Sequence, residues 1–305
     1  MTPWLDAFVP VFGLLALGAV LRRRLLREDA VWAGIERLIF WVLLPSLIAA
    51  VLAGTDLAAL PIGDMAAVLW LALGLGTGLA VLLARALGHG HAAMTSVLQG
   101  GIRFNNLMGF SLAGALWGAP GLALAAVATG LIVPFVQAVA TLAFGLGRGV
   151  RIRPLALARL VLLNPLILGC VAGFALSLAG GLPAGVGPAL RALGQASVAL
   201  GLLCVGAALT LRGLSDRAGT QLATAALKLV VMPGLTWLLC LGFGLAPLAT
   251  AIAVLFMALP TAATSYVMAR AMGGDAPLMA AITTSEHLLS VLTLPLWAWV
   301  LMRGL

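Results

Sequence analysis

Three stretches of this sequence set polar side chains inside long apolar runs, where a polar group is costly unless it has a task or a partner. The first reads Gln99-Gly100-Gly101-Ile102-Arg103-Phe104-Asn105-Asn106-Leu107-Met108-Gly109. Two glycines, an arginine and an adjacent Asn pair make a poor continuous helix and suit one that breaks in mid-course. A break frees backbone N–H groups at the start of the second half-helix, and the partial positive charge there attracts an anion. The alternative is local: the asparagines bond to neighbouring helices, and Arg103 extends its head to a watery surface. The second stretch reads Ala258-Leu259-Pro260-Thr261-Ala262-Ala263-Thr264-Ser265-Tyr266. Proline removes one helix hydrogen bond, and hydroxyls such as those of Thr261 and Thr264 can bind backbone or ligand. The third is Glu286-His287. A carboxylate and an imidazole at that depth could relay a proton. They could equally bond to a neighbouring helix, or Glu286 could pair with Lys228, which also lies inside an apolar run.

The elements that must position these groups follow from composition. The chain has 305 residues, of which 63% are hydrophobic and 9% charged, with a mean hydropathy of +1.17. A soluble domain needs roughly a quarter of its residues charged to cover its surface. Leu, Ala, Val and Gly runs dominate and strand-type alternation is absent, so the expected fold is an all-α integral membrane domain, not a barrel. A span takes about twenty residues, which predicts ten: 4–21, 33–53, 65–86, 92–117, 121–146, 155–178, 189–211, 219–243, 247–271 and 276–302. Breakers or charges mark the connections, as in Thr55-Asp56, Gly118-Ala119-Pro120, Gly180-Gly181-Leu182-Pro183 and Gly273-Gly274-Asp275. The first run is followed, not preceded, by Arg22, Arg23, Arg24 and Arg27, the reverse of a cleavable signal, so it is expected to stay as a helix.

Charge tests the division. The net charge of +8 and pI near 11.2 would point to nucleic acid in a soluble protein; here the basic residues sit in short loops, where membrane orientation places them. After odd-numbered segments lie Arg22, Arg23, Arg24, Arg27, Arg37, Arg85, Arg148, Arg151, Arg153, Arg159, Arg212, Arg217 and Arg270. The other side holds Arg191 and Arg303. The rich side is expected to be cytoplasmic, with both termini outside and the chain multi-pass in an inner membrane. The Arg148–Arg159 cluster then divides the chain into 1–150 and 151–305. Two halves of five spans each must have opposite topology, the inverted-repeat plan of many carriers. Setting Ala119-Pro120 on Ala276-Pro277 brings Pro260 onto Arg103, so both candidate breaks fall at one place in the two repeats. Segments 5 and 10 each carry an interior proline, Pro134 and Pro295.

At these residues the sequence resembles the auxin efflux carrier family of permeases. Carrying the resemblance are Arg103-Phe104-Asn105-Asn106-Leu107-Met108-Gly109-Phe110, Lys228-Leu229-Val230-Val231-Met232-Pro233, Pro260-Thr261-Ala262 and Leu289-Ser290-Val291-Leu292-Thr293-Leu294-Pro295-Leu296. Length and span count also agree over the whole chain. The resemblance implies two inverted five-helix repeats, a broken fourth and ninth helix that cross near the membrane centre, and a small carboxylate bound beside the crossing. By the resemblance Asn105 and Asn106 match the polar pair at the crossing and Pro260 the proline of the ninth helix; with Arg103, Gly109, Thr261 and Thr264 these are the expected substrate contacts, while the residues themselves offer Glu286, His287 and Lys228 for proton or charge coupling. The fourth segment departs from the family in lacking a proline, which leaves its glycines and asparagines to make the break. A large loop after segment 5, present in plant members, is absent, as in short bacterial ones. Glu286-His287 does not carry over from the family pattern.

The functional expectation is a secondary carrier of a mono- or dicarboxylate, with the lipid bilayer as solvent, a homodimer as a candidate assembly, and no nucleic acid, metal or cofactor. Two rivals remain. A bile-acid/sodium symporter type would need a cluster of acids near the crossing, where the spans offer little beyond Glu286. A membrane-embedded enzyme would need a nucleophile such as Ser285 or Ser290 beside Glu286-His287. Gly74-Leu75-Gly76-Thr77-Gly78 follows no strand, so close helix packing explains it better than a nucleotide loop. Cys170, Cys204 and Cys240 stand apart, with no metal or pair spacing, and His89 and His91 are expected to be solvated or interfacial.

Overall fold

A computed structural model describes residues 2–56, 60–147, 154–211 and 213–304. Arg148, Arg151, Arg153 and Arg212 of the charge count, and the expected boundary between the halves at 150 and 151, lie outside the described residues. Among those described, every regular element is helical. In chain order these are α1 (Thr2–Arg24), α2 (Asp29–Leu38), a π turn (Ile39–Leu43), α3 (Leu44–Ala53), α4 (Ile62–Ala86), α5 (His91–Ile102) and α6 (Asn106–Gly147). There follow α7 (Pro154–Leu162), α8 (Pro165–Leu178), α9 (Val186–Ala208), α10 (Ala218–Ala226), a second π turn (Leu227–Val231) and α11 (Met232–Phe243). The chain closes with α12 (Pro247–Ala258), α13 (Thr264–Ala271) and α14 (Ala276–Gly304). Among the described residues, seven helical stretches are long and apolar enough to cross a membrane, and up to eight if the bent pair α7–α8 counts as one.

The breakers in the sequence act where they stand. Gly118 adopts φ 61°, ψ −147° in the middle of α6, a backbone conformation that only glycine reaches without strain. It separates the second part of segment 4 from segment 5. The predicted span 155–178 is not straight: Asn164-Pro165 bends it by 61°, because proline cannot continue α7 and Asn164 caps α8 by accepting from the Leu166 N–H at 2.9 Å.

Both π turns stand immediately before a helix with proline at its second residue, Pro45 and Pro233. An interior proline has no N–H and crowds the carbonyl four residues back, and one extra residue in the preceding turn relieves that clash. At the second site the orphaned carbonyl is that of Leu229, and Trp297 Nε1 donates to it at 2.8 Å. The repair ties α14 to the turn that carries Lys228.

The chain forms two compact units, each drawing on both halves of the sequence. One comprises residues 1–62, 107–133 and 159–208. Its helices are joined by glycines at backbone distance: a Cβ on Gly18 would strike the Leu203 carbonyl, and one on Gly206 the Leu15 carbonyl. This reciprocal contact brings α1 and α9 together without large side chains between them, the way helices pack in lipid. Gly169 against Pro45, Gly173 against Ala49 and Leu52, and Gly194 against Leu47 do the same for α8 and α9 on α3.

The other unit comprises residues 63–106, 134–158 and 209–305. Ala84, Ala93, Val97, Phe144, Ala269, Leu278, Met279 and Ile282 form one of its apolar clusters. Asp275 fastens one end of α14: its Oδ1 accepts from the Leu278 N–H at 3.0 Å, its Oδ2 pairs with Arg217 at 2.7 Å, and its N–H donates to Ala92 O at 3.1 Å. Of the two histidines before segment 4, His89 is half-buried and His91 exposed, and each also has a partner. His89 Nε2 meets Thr220 Oγ1 at 2.8 Å, and His91 Nε2 meets the Ala143 carbonyl at 2.8 Å.

Candidate functional site

Segments 4 and 9 are both interrupted, and the interruptions meet within the second unit. α5 ends at Ile102, Arg103 turns to an extended backbone (φ −79°, ψ 163°), and α6 starts at Asn106. α12 ends at Ala258, Leu259 is extended (φ −65°, ψ 140°), and α13 starts at Thr264. The Asn105 N–H donates to the Pro260 carbonyl at 2.8 Å. Two backbones that have left the helical path thus satisfy one another away from water, where an unpaired N–H or C=O is expensive. The aromatic ring of Phe104 packs on Phe256 of α12, with centroids 5.6 Å apart.

The glycines play a different part from the one expected of them. Gly100 and Gly101 remain inside α5 and do not form the break. A Cβ on Gly100 would lie 2.6 Å from Thr224 Cγ2 and 2.8 Å from Ile282 Cγ2. The glycine therefore lets α5 press between α10 and α14, and the break itself is Arg103-Phe104-Asn105.

Around the junction the polar side chains form a connected set. Thr261 is its hub: its N–H donates to Glu286 Oε2 at 2.7 Å, its hydroxyl donates to the Gln99 carbonyl at 3.1 Å, and it meets Ser265 Oγ at 3.2 Å. Arg103 directs Nη2 to Thr264 Oγ1 at 3.0 Å and Nη1 to Met268 Sδ at 3.0 Å and Gln99 Oε1 at 3.4 Å. All three acceptors are neutral, and no carboxylate pairs with this half-buried guanidinium among the described residues. Asn105 Nδ2 meets His287 Nε2 at 3.1 Å, while His287 Nδ1 donates to the Thr283 carbonyl at 2.7 Å. These partners fit a neutral ring protonated on Nδ1.

Glu286 and His287 are neighbours in sequence but not a pair in space. Successive residues on a helix point about 100° apart; Glu286 turns to the break of segment 9 and His287 to that of segment 4. Nor does Glu286 form an ion pair with Lys228: none within 4.0 Å joins them. Lys228 is fully buried in the second π turn, and its Nζ has no hydrogen-bond partner among the described residues. The hydrolase constellation is not assembled either. Ser285 Oγ donates to Gln221 Oε1 at 2.6 Å and Ser290 Oγ to the His287 carbonyl at 2.7 Å, so neither serine meets the imidazole.

Of the expected contact residues, Arg103, Asn105, Asn106, Pro260, Thr261 and Thr264 lie at or beside the two breaks. Gly109, a turn further along α6, belongs to the other compact unit. Sequence reasoning passed over Gln99 as a site residue. It is fully buried, is bonded to both Arg103 and Thr261, and keeps an amide nitrogen without a partner. Its position four residues before Arg103 on the same helix face was the available signal.

An apolar, all-helical chain with several spans and two helices broken against each other is that of a multi-pass membrane protein. The family model for membrane transport proteins, the family that holds the auxin efflux carriers, matches residues 150–298, just under half of the chain. It is a family of transporters, not of enzymes. No curated protein matches the chain.

Proposed function

We propose that this protein is a secondary carrier of a small organic anion, a mono- or dicarboxylate, working by alternating access with the substrate beside the crossing of helices 4 and 9. The observation that carries the reading is the bond from Asn105 N–H to the Pro260 carbonyl. It sets two half-helix beginnings, the Asn105 and Asn106 amides and an Arg103 served only by neutral acceptors around one point. Backbone N–H groups, amides and a guanidinium all suit an anion, and a cation would need acids that the junction, apart from Glu286, does not offer. Ten crossings in two inverted repeats, 1–150 and 151–305, complete the proposal, in a bacterial inner membrane with both termini outside.

Thermal unfolding of the purified protein with a panel of carboxylates, sugars and amines tests the substrate class. A ligand at a hundred times its Kd stabilises by about 2.7 kcal/mol, so at least one carboxylate should raise the midpoint. Stabilisation by amines or sugars alone would overturn the reading. Topology is checked separately: a cysteine placed at position 150 should escape an impermeant reagent in intact cells while one added before Trp4 reacts, and labelling at 150 rules the orientation out.

A further inference from the structure

Thr261 N–H stands at the break of segment 9, next to the carbonyl that holds Asn105, which is where a bound carboxylate would seek a donor. That donor is already engaged. Glu286 Oε2 accepts from it at 2.7 Å, and Glu286 is fully buried. The other oxygen, Oε1, has no partner among the described residues and faces the bare backbone of Gly100, where a Cβ would come within 3.1 Å. We propose that the Glu286 carboxylate is a built-in stand-in for the substrate anion, so that each substrate binds together with one proton. The proposal rests on the carrier reading above and adds its energetic coupling.

The physical argument is competition for one N–H. A carboxylate on Glu286 and a carboxylate from the substrate cannot share the Thr261 donor, and two anions at that separation repel strongly in a dry interior. A proton taken from the water that enters with the substrate neutralises Glu286 and weakens its Oε2 as an acceptor. The Thr261 N–H then passes to the substrate oxygen. One anion and one proton arrive together, so a monocarboxylate adds no net charge to the buried site. Coupling of this kind is reciprocal: the proton raises affinity for the anion by the factor by which the anion raises affinity for the proton.

The groups around Glu286 leave it as the proton acceptor. From the π turn Lys228 brings a fully buried amine that makes no ion pair with it. On α14 itself, His287 spends both ring nitrogens on Thr283 and Asn105. Arg103, at the end of α5, is bonded to Gln99, Thr264 and Met268, and His91, at the start of α5, to Ala143. α10 and α12 carry no titratable side chain, and those of α13, Tyr266 and Arg270, are exposed. A second sign that the junction awaits a ligand is the fully buried Gln99, whose Nε2 is an unused donor on a residue bonded to both Arg103 and Thr261.

The test is titration calorimetry of the full-length protein with malonate, in pairs of buffers that differ in protonation enthalpy and across a range of pH. In the wild type, binding should take up close to one proton from the buffer on the alkaline side, with affinity falling about tenfold per pH unit there. Glu286→Gln keeps the shape of the side chain and removes the titration; it should lose both the proton uptake and the pH dependence, with folding checked by its unfolding midpoint. Malonate binding to the wild type without proton uptake overturns the coupling and leaves the carrier reading intact, as does proton uptake that persists in Glu286→Gln. Failure of malonate and every other carboxylate in the panel to bind the wild type overturns both.

Discussion

Replacing Asn106 by Ala lowers affinity for malonate-like acids by roughly ten- to a hundredfold and leaves the fold intact. A hydrogen bond from an amide to a charged oxygen contributes about 1.5–3 kcal/mol, and each 1.4 kcal/mol or so is a decade in Kd. Asn106 is half-buried at the first residue of α6, so its loss empties little of the core. Asn105 is different. It is buried, and its amide meets His287 Nε2. Asn105→Ala should therefore bind as weakly as Asn106→Ala and also unfold more readily, by about 1–3 kcal/mol for a buried nitrogen left without its partner. Binding and thermal unfolding of the two variants in detergent or liposomes separate the effects. Unchanged affinity in both, with normal insertion, would place the anion elsewhere in the molecule.

That difference between adjacent asparagines marks the limit of what the sequence made legible. The breaks could be read because proline, glycine and a run of polar residues act on their own backbone. Leu259-Pro260 ends α12 where expected, and Gly118 turns the chain between segments 4 and 5. The equal spacing of Arg103 and Pro260 from their Ala-Pro turns set the two breaks at one place in the two halves, and the family resemblance implied that they cross. Which side chain answers which could not be read, because those partners are far apart in sequence. Glu286 reaches Thr261 across 25 positions and Asn105 reaches His287 across 182. A pairing of Glu286 with Lys228 was a natural guess from charge alone, but the backbone N–H of Thr261 takes the carboxylate instead.

The π turns were hidden for another reason. Pro45 and Pro233 were visible, but a proline in a span can kink, break or widen a helix, and its neighbours decide among these. At Pro233 the decision involves Trp297, 68 residues from the Leu229 carbonyl that it serves. Gly100 was misread for the same kind of reason. A glycine within a helix signals either weakness or close approach, and only the presence of Thr224 and Ile282 beside it identifies the second.

Lys228→Met should stabilise the protein by about 1–3 kcal/mol and abolish most of its transport. A buried amine with no hydrogen bond and no ion pair is unfavourable, and an unbranched apolar side chain of similar length removes that cost while filling nearly the same space. Lys228 meets these conditions: it is fully buried, and among the described residues its Nζ has no hydrogen-bond partner and no carboxylate within 4.0 Å. A residue that weakens the fold is retained for what it does, and Lys228 is the buried cation available to offset the Glu286 carboxylate between transport events. Without it, Glu286 keeps its proton: the neutral acid leaves no uncompensated charge in the fold, and the cycle stalls because the proton is not given up. Uptake of malonate into liposomes should fall at least tenfold, a change of about 1.4 kcal/mol in the limiting barrier. The unfolding midpoint should rise. A lower midpoint would mean that the ammonium is held by an interaction worth more than its burial, and normal uptake at a higher midpoint would assign Lys228 no part in the coupling.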